Sequence, residues 1–302
     1  MNAKKITLAY FETKNNSIIN LPKTSPYWPE IDYHLLTVDD AGNIYILNLW
    51  NNEIIVYDGN GKFHKSIRLK TKLHRFKHRN GELEVSGDGK KLFVTGYDQS
   101  GTIIQFIFDK NGNIIRKLSK NDEIVWNFPN ERLCNEPYFL SRKGRLVYDE
   151  NLQLIKKKYL FCDTEGEYSI KGKALIKSTK NEKKLWQKNF DGNFVIIGVD
   201  KNNYIYIEGR LRKGDPNSLY KVDSKGEIIA QAPIPNPFPF LTNEEKEEWE
   251  MHSSDDYFSF YELSCNGDIY VIHSLDELPQ RTFQRWLKGG EYFIYKFEMG
   301  GK

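Results

Sequence analysis

Eight side chains in irregular stretches of this chain have the chemistry to grip a ligand: Trp50, His74, Arg75, Tyr97, Arg210, Arg212, His273 and Trp286. Aromatic and Arg side chains carry a large share of interface energy, which makes these the expected ligand- or partner-binding residues. None of them stands in a catalytic pattern. The chain has no nucleophile elbow, phosphate loop, dinucleotide fingerprint, metalloprotease motif or calcium loop. Asp39-Asp40-Ala41-Gly42-Asn43 carries carboxylates, but it lacks the spaced ligands and terminal Glu of a calcium site. Those aspartates are predicted to close an Asx-type turn. The lone histidines His34 and His273 read as hydrogen-bonded structural residues. Cys134, Cys162 and Cys265 are far apart and have no base beside them. At most one disulfide can form, and Cys134 and Cys162 are expected to be buried structural thiols. No catalytic residue, metal ligand or cofactor is predicted.

The elements that would hold these residues repeat. Gly42-Asn43-Ile44-Tyr45-Ile46 is followed by Ile54-Ile55-Val56-Tyr57-Asp58-Gly59-Asn60-Gly61. The same order returns from Gly89 to Gly112, from Asn203 to Gly226 and from Asp268 to Glu298. Two weaker copies follow Ser141-Arg142-Lys143-Gly144 and Glu165-Gly166. Gly and Asp clusters between alternating apolar residues are hairpin signals. About six units of roughly 40 to 50 residues predict four-stranded propeller blades. Tyr45, Tyr57, Tyr206, Tyr220, Tyr270 and Tyr295 recur at matched strand positions, as packing between blades requires, so they are assigned to the core.

The pattern Asp-x-x-Gly-Asn-Ile-Tyr-Ile followed by Ile-x-x-Tyr-Asp-x-x-Gly resembles the blade repeat of NHL-like and exported bacterial six-bladed β-propeller proteins. Ser86-Gly87-Asp88-Gly89 is similar to the Ser-Pro-Asp-Gly turn of related propellers, with Gly87 where Pro is usual. The resemblance covers most of residues 34–298 and implies an all-β fold, a six-bladed β-propeller of four-stranded antiparallel blades. It also implies ring closure by an N-terminal strand, about residues 4–12. The expected organisation is one domain over residues 1–302. Four prolines from Pro233 to Pro239 and a Thr242/Glu245 capping box place a helical insertion at about 241–252 between blades.

In a four-stranded meander, the turns between first and second and between third and fourth strands share one face. The other links share the opposite face. Trp50 to Asn52, Tyr97 to Gly101, Arg210 to Ser218, His273 to Gly290, Lys70 to Arg79, Asn127 to Glu136 and Pro233 to Asp256 are therefore expected together as a long-loop face. Scaffolded loops are where binding concentrates. Lys70 to Arg79 is the densest basic run; its plain reading is a solvated crossover, its sharper one a site for an acidic or phosphate-bearing ligand.

The chain has 302 residues with 44 Lys and Arg against 41 Asp and Glu, a net charge of +3. That balance argues against nucleic acid as the partner. No apolar run is long enough for a transmembrane helix. The N-terminus lacks the apolar stretch of a signal peptide, so the protein is cytoplasmic, or exported if a signal has been trimmed. The expected function is a non-catalytic, monomeric binding or protein-interaction module for a protein partner or a small extracellular ligand. The rival is a calcium-dependent hydrolase, lactonase or lyase working at the central channel, which requires oxygen ligands converging from several blades.

Overall fold

The computed structural model describes residues 3–9, 36–49, 52–74, 81–118, 129–133, 138–141, 147–148, 154–156, 161–163, 165–179, 181–212, 216–234, 242–244, 259–273 and 291–298. The first strand is β1 (Ala3–Ala9). Blade one holds β2 (Leu36–Val38), β3 (Ile44–Asn48), β4 (Glu53–Tyr57) and β5 (Phe63–Arg68). Blade two holds β6 (Glu82–Val85), β7 (Lys91–Tyr97), β8 (Ile103–Asp109) and β9 (Ile114–Leu118). Blade three holds β10 (Pro129–Leu133), β11 (Tyr138–Ser141), β12 (Val147–Tyr148) and β13 (Leu154–Lys156). Blade four holds β14 (Phe161–Cys162), β15 (Glu167–Lys171), β16 (Ala174–Ser178) and β17 (Lys184–Asn189). Blade five holds β18 (Phe194–Val199), β19 (Ile205–Gly209), β20 (Ser218–Val222) and β21 (Ile228–Pro233). Blade six holds β22 (Ser259–Leu263), β23 (Asp268–His273) and β24 (Glu291–Glu298).

These strands form six four-stranded antiparallel sheets, five of them meanders paired in chain order and the sixth ordered β1-β24-β23-β22. The architecture is all-β, a six-bladed propeller. In blade six, β1 adds outside β24 with Ala3 opposite Phe297 and Ala9 opposite Glu291. First strands meet across blades: β2 with β6, β14 with β18, β18 with β22 and β22 with β2. They are therefore the inner strands, and the fourth strands form the rim.

Alternation along each strand builds the seams between blades. Tyr45, Leu47, Ile54 and Val56 of blade one pack against Leu83, Leu92, Val94 and Phe108 of blade two. Tyr206 and Leu219 of blade five meet Ile269 and Phe297 of blade six. Burying such side chains contributes about 1.5–3 kcal/mol each. The recurring tyrosines Tyr45, Tyr57, Tyr206, Tyr220 and Tyr270 are buried in this core.

Three details differ from the sequence reading. Ser141 ends the second strand of blade three and Val147 begins the third. The segment between them thus joins second to third strand, and does not start a new repeat. Tyr97 to Gly101, expected as an irregular link, is a tight turn: Asp98 N donates to Thr102 O at 2.9 Å, and Asp98 Oδ1 accepts from the Ser100 and Thr102 amides. Cys265 is disulfide-bonded, with a partner outside the described residues, and Cys162 is half-buried and not disulfide-bonded.

Candidate interaction surface

The crossover from blade one to blade two is built around Asn52. It sits at φ 57°, in the left-handed region that Asn tolerates better than most side chains. Its Nδ2 donates to Leu69 O at 3.1 Å and Thr71 O at 2.5 Å, and its Oδ1 accepts from Leu73 N at 3.0 Å. One amide therefore holds three residues of the crossover in place. Lys70 N donates to Gly112 O of blade two at 2.9 Å. His74 and Tyr97 close the segment as an isolated antiparallel bridge, with amide-to-carbonyl distances of 2.8 and 3.1 Å. Leu73 is buried beneath, while Lys70 and Lys72 are both exposed.

Of the residues predicted to bind, the structure brings His74 and Tyr97 together. Tyr97 is buried, so its contribution is the backbone bridge and core packing, while its ring is withheld from a ligand. His74 is half-buried. Arg210 and Arg212 are on the β19–β20 link, where Arg210 is exposed and its Nε donates to Asn217 Oδ1 at 3.0 Å. Trp50, Arg75 and Trp286 lie outside the described residues, as does the side chain of His273. Asn243 and Glu244 are helical, and residues 245–252 of the expected insertion lie outside as well.

A second polar group lies on the inner strands. Thr37 Oγ1 of β2 donates to Glu84 Oε2 of β6 at 3.3 Å. Along one row of blade two, Gln105 Nε2 donates to Thr95 Oγ1 at 3.2 Å, and Thr95 Oγ1 lies 3.5 Å from Glu82 Oε2. Gln105 Oε1 is buried with no hydrogen-bond partner among the described residues. Across the seam between blades five and six, burial raises the Glu208 carboxyl above its ordinary range, against the lowering effect of a Tyr261 hydrogen bond and nearby Arg210. No group of three or more His, Cys, Asp or Glu side chains placed to hold a metal occurs among the described residues. No helix among them is long and apolar enough to cross a membrane.

The opposite face is made of latches. Asp39 Oδ1 accepts from Asn43 N at 2.8 Å, while Oδ2 accepts from Tyr45 Oη at 2.9 Å. Asp200 repeats this with the Asn202 and Tyr204 amides and with Tyr206 Oη at 3.0 Å. In blade four, Asp163 closes its turn through Glu165 N and takes hydrogen bonds from Tyr168 Oη and Lys177 Nζ. Burial works against the Asp163 charge, yet these donors hold its pKa below the usual carboxylate value.

Sequence reasoning placed Asn52 on the long-loop face but missed its pinning role, because its partners lie 17 to 21 residues away. It also missed Lys177, Lys221 and Lys296, which pair across the strands with Tyr168, Tyr206 and Tyr270. Their signal was a Lys at one matched third-strand position of three successive blades.

No protein-family model matches the chain, and no curated protein matches it. Several solved β-propeller proteins are similar in structure. One is a calcium-binding protein, regucalcin, from Agrobacterium tumefaciens, at 13% identity over 87% of this chain and 88% of that one, TM-score 0.44. Another is a DUF4221 family member from Bacteroides vulgatus, at 12% identity over 99% and 97%, TM-score 0.45. A third is a streptogramin B lyase, at 12% identity over 98% of both chains, TM-score 0.42. Likenesses of this order assign no activity, and the propeller assignment rests on the strand pairing.

Proposed function

We propose that the protein is a non-catalytic binding module, a single propeller domain over residues 1–302 that takes a partner bearing anionic groups on its long-loop face. The observation that carries this reading is the pinned crossover. Lys70 and Lys72 project from backbone already fixed by Asn52 and by the His74–Tyr97 bridge. Cations on an ordered loop lose less freedom on binding than cations on a free one. Arg210 and Arg212 add charge on the blade-five link. Trp50, Arg75, His273 and Trp286 complete the proposed surface. The test is affinity capture by the full chain, comparing the wild type with Lys70→Glu/Lys72→Glu and Arg210→Glu/Arg212→Glu. A partner held by the wild type at low salt and released by either pair supports the reading. Retention by both pairs rejects it.

The second reading is the metal-dependent hydrolase, lactonase or lyase at the channel. What favours it is the Thr37–Glu84 contact between inner strands, with Glu82 two residues away on the same strand. It predicts calcium-dependent turnover that Glu84→Gln abolishes and the loop variants leave intact.

A further inference from the structure

The rim of the propeller has a composition of its own. Its six strands are β1, β5, β9, β13, β17 and β21, each hydrogen-bonded to a single neighbour and with its outer edge unpaired among the described strands. None of them contains Asp or Glu, although the chain carries 41 such residues in 302. Together they hold nine Lys or Arg. At the start of four of these strands, Phe63, Ile114, Ile115, Leu185, Ile228 and Ile229 are each 44–54% exposed. The pattern therefore repeats blade by blade: an exposed apolar residue or pair near the hairpin turn, with cations along β5, β9 and β17 and none on β21.

An open strand edge presents unpaired N–H and C=O groups to any extended chain that comes alongside. Main-chain hydrogen bonds then give affinity, and alternate side chains give specificity. Opposite charges across such a pair contribute about 0.2–1 kcal/mol each, and like charges oppose it. We infer that the rim is a docking surface for acidic, extended polypeptide segments, each adding as a fifth strand to a blade. Charge complementarity selects the occupant: edge strands that hold cations and no carboxylate favour an acidic strand over a basic or neutral one, although Lys188 of β17 is already paired with Glu227 of blade five. The preferred edges are β5 and β9. There Arg68 and Lys117 are exposed or flank exposed positions, Lys65 and Arg116 share the same strands, and Phe63, Ile114 and Ile115 offer apolar contact. This surface is distinct from the long-loop face and fails or stands independently of it.

The probe is a labelled peptide of about ten alternating Glu and Val residues, long enough to span any rim strand. Its controls are the same peptide N-methylated at alternate amides, a Lys/Val peptide, an oligothymidylate and phosphatidylserine vesicles. Fluorescence anisotropy with the full chain is expected to show binding of the Glu/Val peptide at more than one site per chain. N-methylation on the pairing edge should abolish it. Lys65→Glu/Arg68→Glu and Arg116→Glu/Lys117→Glu, combined, should weaken it by at least about tenfold, with an unchanged circular-dichroism melt showing intact folding. Equal binding of the N-methylated peptide would overturn strand addition. Preference for the oligonucleotide or vesicles would overturn the choice of partner. Self-association of a Lys65→Ala/Arg68→Ala/Arg116→Ala/Lys117→Ala variant, with no peptide bound by the wild type, would mean that the cations only guard the edges.

Discussion

In blade five, Asp200 divides its two carboxylate oxygens between two tasks. One closes the turn through the Asn202 and Tyr204 amides, and the other accepts the Tyr206 hydroxyl at 3.0 Å. In blade six the matched residue is Ser264. Its one oxygen closes the turn, accepting from Asp268 N at 3.1 Å. Nothing is left for Tyr270, whose hydroxyl is buried without a hydrogen-bond partner among the described residues. Blade two also has a Ser at this place, Ser86, accepting from the Lys90 and Lys91 amides at 3.1 and 2.9 Å. There, however, the aromatic is Phe93, which has no hydroxyl to satisfy. Asp with Tyr and Ser with Phe are each self-consistent; Ser with Tyr is not. A missing partner for a buried polar group costs more than a satisfied one contributes. Blade six therefore holds the weakest latch among those described.

The largest test of this contrast is to delete the latch acceptor in each blade. Asp200→Ala strips a fully buried hydroxyl and two amides of their partner, and is expected to cost about 3 kcal/mol. Ser264→Ala removes a single turn contact and is expected to cost about 1 kcal/mol. Urea denaturation of the two variants reads the difference directly. Equal losses would mean that the turn itself, and not the tyrosine, is what Asp200 supports.

The next effect comes from the other side of the pair. Tyr206→Phe breaks the hydrogen bond to Asp200 and should destabilise by about 1 kcal/mol. Tyr270→Phe removes a buried hydroxyl that lacks an acceptor and should be neutral or slightly stabilising. The ring of each tyrosine is retained, so core packing is unchanged. Both hydroxyls approach the turn glycine of the neighbouring blade: Tyr206 meets Gly267, and a Cβ on Gly42 would lie 2.7 Å from Tyr270 Oη. Gly42 also has φ +83°, so the site excludes a side chain on two counts.

Alkaline pH sharpens the comparison. Burial raises the Tyr270 hydroxyl to about 12, helped by the Asp268 and Asp39 charges and opposed by the charge and donor of the nearby Lys296 ammonium. Burial and Asp200 raise Tyr206 as well. A tyrosine raised in the folded state contributes stability that is whole below about pH 10, where the unfolded side chain ionises. That contribution is lost as pH climbs toward the folded value. Wild-type stability should therefore fall between about pH 10 and 12, and Tyr270→Phe should fall less steeply over that window. A parallel pair of curves would remove Tyr270 from the alkaline transition.

Much of this arrangement was legible in the sequence, because it is local. Asp39 and Tyr45, Asp200 and Tyr206, and Ser264 and Tyr270 are each six residues apart, bracketing turns that Gly and Asn announce. Tyr45, Tyr57, Tyr206, Tyr220 and Tyr270 could be placed in the core for the same reason, while the side chain of Tyr295 lies outside the described residues. What was not legible depends on distance or register. Asn52 acts on carbonyls 17 and 19 residues away. Lys177, Lys221 and Lys296 meet their tyrosines only once third strands are aligned with second strands. The Tyr97 to Gly101 stretch reads as a loose link until Asp98 is seen closing it with a side-chain oxygen, the same device used in the Gly/Asp hairpins. On the long-loop side, Leu73 is the residue of the crossover that turns into the core, and a basic run alone does not say which of its members point inward.

The smallest expected effect is a repair. Ser264→Asp restores a second oxygen at the place where Asp39 and Asp200 reach their tyrosines, giving Tyr270 Oη an acceptor. The new hydrogen bond is worth about 1 kcal/mol. Against it stands the nearby Asp40 carboxylate, whose Oδ1 accepts from Cys265 N at 3.2 Å and would face a second negative charge. Lys296 offsets part of that repulsion, since its Nζ lies 2.9 Å from Asp268 and 5.8 Å from the Tyr270 ring centre. The net gain should be a few tenths of a kcal/mol, too small to assign from one melting curve. The double-mutant cycle of Ser264→Asp with Tyr270→Phe isolates it, because the bond forms only when the introduced carboxylate and the tyrosine hydroxyl are both present. A coupling of about 1 kcal/mol would show that blade six lacks one oxygen and nothing else. Zero coupling would place the weakness of this latch in its backbone, and would take away the explanation offered for the orphaned hydroxyl.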